Sequence, residues 1–501
     1  MNVHIPNTLR FEFDNTYARD LEGFYTPWQA EPVPEPSFLA FNRDLATELG
    51  LDVAALETEA GAAIFAGNEA PHGSTPLAQA YAGHQFGGFS PKLGDGRAIL
   101  LGEVLDTRGN RRDIQLKGSG RTPFSRGGDG KAAVGPVLRE YLIGEAMHAL
   151  GIPTTRALAA VSTGEPVLRE SPLPGAVLTR VAASHIRVGT FQYFAVRKDW
   201  AKIKQLADYV ITRHYPEITA TEKYGDMNPY VALFHAVADA QARLVAKWMH
   251  VGFIHGVMNT DNMSISGETI DYGPCAFMDR YGPDTVFSSI DTHGRYAYAN
   301  QPVMAQWNLT RFAETLLMIS DPDVDRATEI LTEAIHAFAT TYQTHWLVGM
   351  RAKLGIMSEA AEDLDLVNDL FSAMHGQGAD YTLVFRRLSD TARGNDAPLT
   401  ALFDDATAIA EWLQRWRSRL ARDEISPEVR VAAMEKTNPL YIPRNHKVEE
   451  ALAAAVERND LAPFNQLLDI VRDPFTFRAG LEDYTKPVPR DGAPYRTFCG
   501  T

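Results

Sequence analysis

Cysteine is nearly absent: Cys275 and Cys499 are the only two in 501 residues. That is too few for a disulfide scaffold or a four-thiolate zinc site, and leaves room for one conditional disulfide. Long hydrophobic runs are missing too. No stretch approaches the ~18 uninterrupted apolar residues of a spanning helix, and the opening Met1-Asn2-Val3-His4-Ile5-Pro6 has no basic region leading into an apolar run. The expectation is a cytoplasmic protein with no membrane partner. Positive charge is in deficit, 48 Lys and Arg against 63 Asp and Glu, for a formal net charge of -15. Such a balance disfavours nucleic acid as a partner, so any phosphate binding must come from a local basic pocket. Internal repeats and low-complexity tracts are also lacking.

What is present is the composition of a globular protein, 45% hydrophobic and 22% charged. The length suits roughly two to four ordinary domains or one large two-lobed enzyme with extensions. Residues 1–75 mix helical stretches with the break Glu31-Pro32-Val33-Pro34-Glu35-Pro36 and read as an extension wrapping something else. Short strand patterns dominate 76–182, with one helix between Val134 and Leu150 that stops at Gly151-Ile152-Pro153. Helical periodicity takes over from 183 to 420. Leu233, Val237, Ala240, Leu244 and Trp248, spaced by three and four, share one helical face. A helix-rich segment, 421–501, closes the chain. A β lobe followed by an α lobe predicts an α+β fold.

Gly94-Asp95-Gly96-Arg97 runs directly into the apolar strand Ala98-Ile99-Leu100-Leu101, as either a phosphate-approaching turn or a plain hairpin turn would. The next strand alternates Asp113, Ile114, Gln115, Leu116 and Lys117, so Lys117 emerges opposite the face of Ile114 and Leu116. It is a solvated lysine or one that pairs with Glu140, at the edge of the apolar stripe of the following helix, to hold nucleotide phosphates as in kinases. The densest constellation is His255-Gly256-Val257-Met258-Asn259-Thr260-Asp261-Asn262, followed by Thr269-Ile270-Asp271-Tyr272-Gly273. A two-residue hairpin turn at Ser266-Gly267 would set Asn262 opposite Asp271. One neutral and one anionic oxygen ligand suit Mg²⁺ or Mn²⁺, whereas the bland reading has these residues capping turns. His84 and His255 lack metal-ligand spacing and are read as structural.

Several blocks in chain order carry a resemblance. They are Tyr81-Ala82-Gly83-His84-Gln85-Phe86-Gly87, Leu93 to Arg97, Gln115 to Gly120, Arg126 to Gly130, His255 to Asn262, Asp271 to Pro274, and the terminal Phe498-Cys499-Gly500-Thr501. Nearly end to end, the chain resembles the selenoprotein O family, called YdiU in bacteria. The resemblance implies a pseudokinase fold of two kinase-like lobes that binds ATP in a flipped orientation. It implies transfer of AMP to Ser, Thr or Tyr hydroxyls of protein substrates, with UMP transfer from UTP in the bacterial branch. By position, Gly94, Gly96, Arg97, Lys117, Asp129, Gly130, Arg180, Arg187 and Asp271 match the family's nucleotide-binding residues. Glu140 matches the partner of the lysine, Asn262 and Asp271 the metal ligands, and Asp261 the proton acceptor.

The residues themselves speak against ordinary kinase chemistry. The third position of a kinase His-Arg-Asp loop is an aspartate that accepts the substrate proton; here it is Val257, and Asp261 is the nearest carboxylate. Arg97, Arg180 and Arg187, with Lys131 nearby, could grip the β and γ phosphates as a leaving group. Two other readings stand beside nucleotidyl transfer: a kinase-like phosphotransferase acting on a small molecule, and a noncatalytic ATP-binding scaffold. No motif sets an oligomeric state. Cys275 lies four residues after Asp271 and Cys499 two before the end, a placement that suits a redox pair, and the family carries selenocysteine at the Cys499 position in some members.

Overall fold

The computed structural model describes residues 9, 11–220, 222–489 and 495–497. Twelve strands run through them in chain order: β1 (Tyr25–Pro27), β2 (Ser37–Phe41), β3 (Leu77–Gln79), β4 (Gly83–Gln85), β5 (Gly88–Ser90), β6 (Ala98–Leu105), β7 (Arg111–Lys117), β8 (Ala132–Ala133), β9 (Arg156–Leu168), β10 (Pro172–Ala182), β11 (Phe253–Ile254) and β12 (Ala276–Phe277). Eight build one antiparallel sheet in the order β1-β3-β6-β7-β10-β9-β2, with β8 on β10. β4 pairs only with β5, and β11 only with β12. The register sets Lys117 between Ala98 of β6 and Leu178 of β10, and Arg180 opposite Gln115.

The central strands read as apolar runs because both faces of the sheet are covered. On one face Leu101, Ile114, Leu116 and Val177 pack against Leu45, Leu49, Ile64 and Phe65, from helices Arg43–Glu48 and Glu59–Ala66. On the other, Leu100, Ala160 and Leu178 meet Val137, Leu138, Tyr141 and Leu142 of helix Val134–Ala149. Each such side chain contributes ~1.5–3 kcal/mol by leaving water. Two strands from before residue 76, β1 and β2, thus form the two edges of the sheet.

Helix Val134–Ala149 ends where the sequence predicts, with Gly151 at φ +72. Helix Pro229–His250 starts at Asn228, whose side chain accepts the Tyr230 N–H, and its predicted stripe is buried. Helices Gln301–Ser320 and Val324–Leu354 pack on it, while Asn445–Arg458 and Ala462–Arg472 return to helix Val134–Ala149. The result is an α+β molecule, an antiparallel sheet followed by many helices. No helix among the described residues is long and apolar enough to cross a membrane.

Buried ion clusters fasten these layers. Arg213 of helix Trp200–His214 reaches Asp113 (2.5 Å) and Glu103 (3.1 Å) on the sheet. Arg444, fully buried, donates to Asp380 (2.7 and 3.0 Å), Asp279 (2.6 Å) and the Thr485 carbonyl (2.8 Å). Removing one partner of such a cluster strands a charge in low dielectric. Arg444→Met is therefore expected to lose ~3–5 kcal/mol in urea unfolding. Adding Asp380→Asn, which keeps the cap on Leu383 N–H, should recover part of it.

Candidate active site

A cavity of about 710 Å³, large enough for a nucleoside triphosphate, opens between the ends of β6 and β7, the 118–130 segment, and the 255–274 segment. Lys117, Arg97, Arg180, Arg187, Asp261, Asn262 and Asp271 all line it, as do Gly94, Gly96, Asp129, Gly130 and Lys131.

Lys117, ending β7, donates from Nζ to Glu140 Oε2 (2.6 Å) and to Asp271 Oδ1 (2.6 Å). Glu140 Oε1 takes a second cation, Arg180 Nη1 at 3.2 Å, and Arg180 is steadied by Gln115 Oε1 (2.6 and 3.2 Å). Glu140 is buried where the sequence suggests a stripe edge, because helix Val134–Ala149 is covered nearly all round. Desolvation would raise Asp271, but the charges of Lys117, Arg180 and Arg97 outweigh it and hold the carboxyl well below the usual range. Its backbone sits at φ +70, a left-handed conformation that aspartate tolerates better than most side chains.

Arg187 precedes helix Val188–Ala195, donates from Nη1 to the Asp261 carbonyl (3.1 Å), and lies 4.4 Å from the Tyr81 ring centre and 3.6 Å from Asp95 Oδ1. Asp95 accepts from Gln79 N–H and Gln115; burial pushes its carboxyl up against the pull of Arg187. Asp261 accepts Gln85 Nε2 at 3.2 Å on Oδ2, while its buried Oδ1 has no hydrogen-bond partner. Burial pushes this carboxyl up to about 6. Asn262 gives its amide N–H to the Val257 carbonyl (3.0 Å). Asp129 is gripped by Arg169 (2.7 Å), which lowers its pKa, and Lys131 is paired with Glu165 (2.6 Å).

The predicted hairpin between Asn262 and Asp271 is not formed. Ser264 bridges Arg187 and Thr269 bridges Thr154, so the backbone groups of the segment pair outward. Helix Pro229–His250 holds them there, Gln241 donating to the Ser264 carbonyl and Trp248 to Thr269 Oγ1. Asn262 and Asp271 reach one cavity by this route, not by cross-strand register.

His84 and His255 do not line the cavity; His255 is buried against the Ile270 carbonyl and His84 meets Gln192. Cys275 is fully buried and burial pushes its thiol up to about 12. Cys499, its expected partner, lies outside the described residues. Among the described residues no three His, Cys, Asp or Glu side chains are grouped to hold a metal ion. Sequence reasoning passed over Asp95, Gln115 and Gln85. The alternation Asp113, Gln115, Lys117 on one strand face was the available signal for Gln115; Gln85 and Asp95 gain their roles only from tertiary contacts.

A family model described as protein adenylyltransferase SelO matches residues 7–472. A Cereibacter sphaeroides (strain KD131 / KCTC 12085) protein named protein nucleotidyltransferase YdiU is 61% identical over 495 residues, covering 98% of this chain and 100% of its own length. A protein of the same name from Rhizobium meliloti (strain 1021) is 58% identical over 493 residues, covering 98% and 99%.

The glycines of the cavity rim give a stability test. A Cβ on Gly94, at φ +71, would lie 2.3 Å from the Phe124 ring, whereas one on Gly127, at φ +89, would meet nothing within 4 Å. Gly127→Ala is expected to cost only the backbone strain of ~1 kcal/mol, and Gly94→Ala an added ~1–3 kcal/mol from the clash, both read by urea unfolding.

Proposed function

The chain belongs to the protein adenylyltransferase SelO family, and we propose that it transfers AMP from ATP, or UMP from UTP, to Ser, Thr or Tyr hydroxyls of proteins, releasing pyrophosphate. The observation that carries this reading is the Lys117 ammonium shared between Glu140 and Asp271 at the wall of a cavity that also holds Arg97, Arg180 and Arg187. In this reading the molecule is a two-lobed, kinase-like enzyme: an extension over 1–75, a small lobe over 76–182, a helical lobe over 183–420 and a further extension over 421–501. A sheet lysine paired with a helix glutamate supports that likeness.

Lys117 and the arginines bind the triphosphate and stabilise the charge that collects on departing pyrophosphate. Arg187, tied to the Asp261 carbonyl, keeps that grip in register with the carboxylate beside it. Asp261, whose carboxylate lies at the cavity and accepts Gln85 on Oδ2, takes the proton of the acceptor hydroxyl. A divalent cation, Mg²⁺ or Mn²⁺, bound by Asp271 and Asn262 would neutralise phosphate charge. The residues fit it: Asn262 spends its amide N–H on Val257, leaving its oxygen for the ion, and a carboxylate with an amide oxygen is a hard donor pair that phosphate and water can complete. Val257, also at the cavity, cannot act as a kinase base, which weighs against phosphoryl transfer.

Redox control through a Cys275–Cys499 disulfide belongs to the same reading. Its support is that Thr497 Oγ1 donates to the Pro274 carbonyl (2.7 Å), two residues before one cysteine and one before the other. The pairing requires an oxidising disulfide or peroxide to accept the two electrons.

With α-labelled ATP, label is expected on acceptor protein with release of pyrophosphate, and none with γ-labelled ATP; transfer of the γ label would overturn the nucleotidyl reading in favour of a phosphotransferase. Asp271→Ala and Lys117→Ala should lower turnover by ~10³-fold or more, and Asp261→Ala by ~10²–10⁴-fold. Near-normal turnover of Asp261→Ala at saturating Mg²⁺ would remove it as the proton acceptor.

A further inference from the structure

The β4–β5 hairpin is fastened to the loop that carries Asp261. His84 N–H donates to Thr260 Oγ1 (2.7 Å), Gln85 to Asp261 Oδ2 (3.2 Å) and Phe86 N–H to Asn259 Oδ1 (3.0 Å). Its inner side closes the cavity at Gln85 and Phe86. Its outer side continues into a face of a different character. The His84 ring lies 4.7 Å from Phe89 and 5.3 Å from Trp307. Helix Gln301–Ser320 presents Val303, Trp307 and Arg311 at four-residue spacing, hence on one side. The guanidinium groups of Arg295 and Arg311 lie 4.7 and 5.1 Å from the Trp307 ring centre.

The charge on this face is poorly neutralised. Among the described residues Arg295 has no carboxylate within ion-pairing distance, and Arg311 has only Glu314 at 2.7 Å, a pair local to its own helix. The Nε atoms of both arginines, buried under this face, lack a hydrogen-bond partner. Val303 and Phe89 remain 58% and 40% exposed. Under a net charge of -15, two guanidinium groups flanking one aromatic ring beside the hairpin that holds Asp261, one of them without a carboxylate partner among the described residues, are unexpected as mere surface. They offer charge-assisted hydrogen bonds to carboxylates, with apolar side chains beside them to bury a hydrophobic neighbour.

We propose that this face docks the acceptor protein through an acidic segment, bearing an apolar side chain, that adjoins the modified hydroxyl. The proposal rests on the transfer reaction inferred above, and it names the class of polypeptide that reaction accepts. Arg295 and Arg311 select the carboxylates, Trp307 fixes the two arginines, and the hairpin carries the hydroxyl to Asp261.

Docking and chemistry can be measured apart. Two fluorescein-labelled peptides of equal length each carry one Ser and one Leu, flanked in one by Asp and Glu and in the other by Lys and Arg. Binding is followed by anisotropy, with ATP affinity measured separately by calorimetry. Wild type should bind the acidic peptide about tenfold or more tighter than the basic one, and Arg295→Glu/Arg311→Glu should reverse that order. ATP affinity of the double variant should stay within about twofold, since neither arginine lines the nucleotide cavity. Val303→Asp, at an exposed position that folding tolerates, should weaken the acidic peptide about threefold or more. Equal binding of the two peptides by wild type, or an unchanged preference in the charge-reversed protein, overturns the proposal. If that variant does not fold, unchanged affinity of Val303→Asp for the acidic peptide does so instead. Because binding is read without transfer, an enzyme that moved the γ phosphate would fail the function above while leaving this preference intact.

Discussion

The Lys117 ammonium, 2.6 Å from Glu140 on a core helix and 2.6 Å from Asp271 on a loop, is the point where sheet, helix and loop meet. Three elements far apart in the chain are brought to one atom. Two carboxylates facing one another across the cavity wall would repel without a cation between them. The lysine ties both carboxylates to one atom and so fixes the spacing between the helix and the loop on the two sides of the cavity. Buried ion pairs add little net stability once desolvation is counted; what this one supplies is position. Arg180 completes the arrangement from the neighbouring strand by taking the other oxygen of Glu140.

That position depends on the frame around it. Lys117 can sit at the end of β7 only because β6 and β10 flank it in register, and Glu140 only because Val137, Leu138 and Tyr141 lock the helix on the sheet. Arg213 and Arg444 hold the outer helices in the same manner, each with two carboxylates. Glycines set the clearances: Gly94 gives way to Phe124, and Gly83 to Asp261, whose Oδ1 would be 2.5 Å from a Cβ there. The Gly83 contact lies in the same hairpin that carries Gln85, so the wall facing Asp261 and the arginine-bearing face behind it are one unit.

Charge is sorted sharply across this molecule. The chain as a whole is acidic, yet arginines gather in the cavity and again on the outer side of the hairpin, around Trp307. Arg180 and Arg187 are held by Glu140, Gln115 and Asp95, with Tyr81 against Arg187, while Arg295 and Arg311 flank the Trp307 ring and Arg311 also meets Glu314.

Local pattern alone determined much of this. The strand ending in Lys117, the helix bearing Glu140 and its stop at Gly151, and the stripe from Leu233 to Trp248 follow from periods of two and 3.6 residues, which local sterics and hydrophobicity dictate. The α+β order was legible for the same reason. The sequence also brought Asp261, Asn262 and Asp271 to notice, since dense polar residues between apolar runs are costly to keep without a use. Which atoms meet was another matter. The hairpin expected at Ser266-Gly267 obeys local turn rules, but helix Pro229–His250 and the backbone at 153–155 and 186–188 offered the segment's backbone better partners. Asp95, Gln85 and Arg295 have no periodic signature at all. Their environments arise from contacts between segments remote in the chain, an energy that only the folded structure assembles.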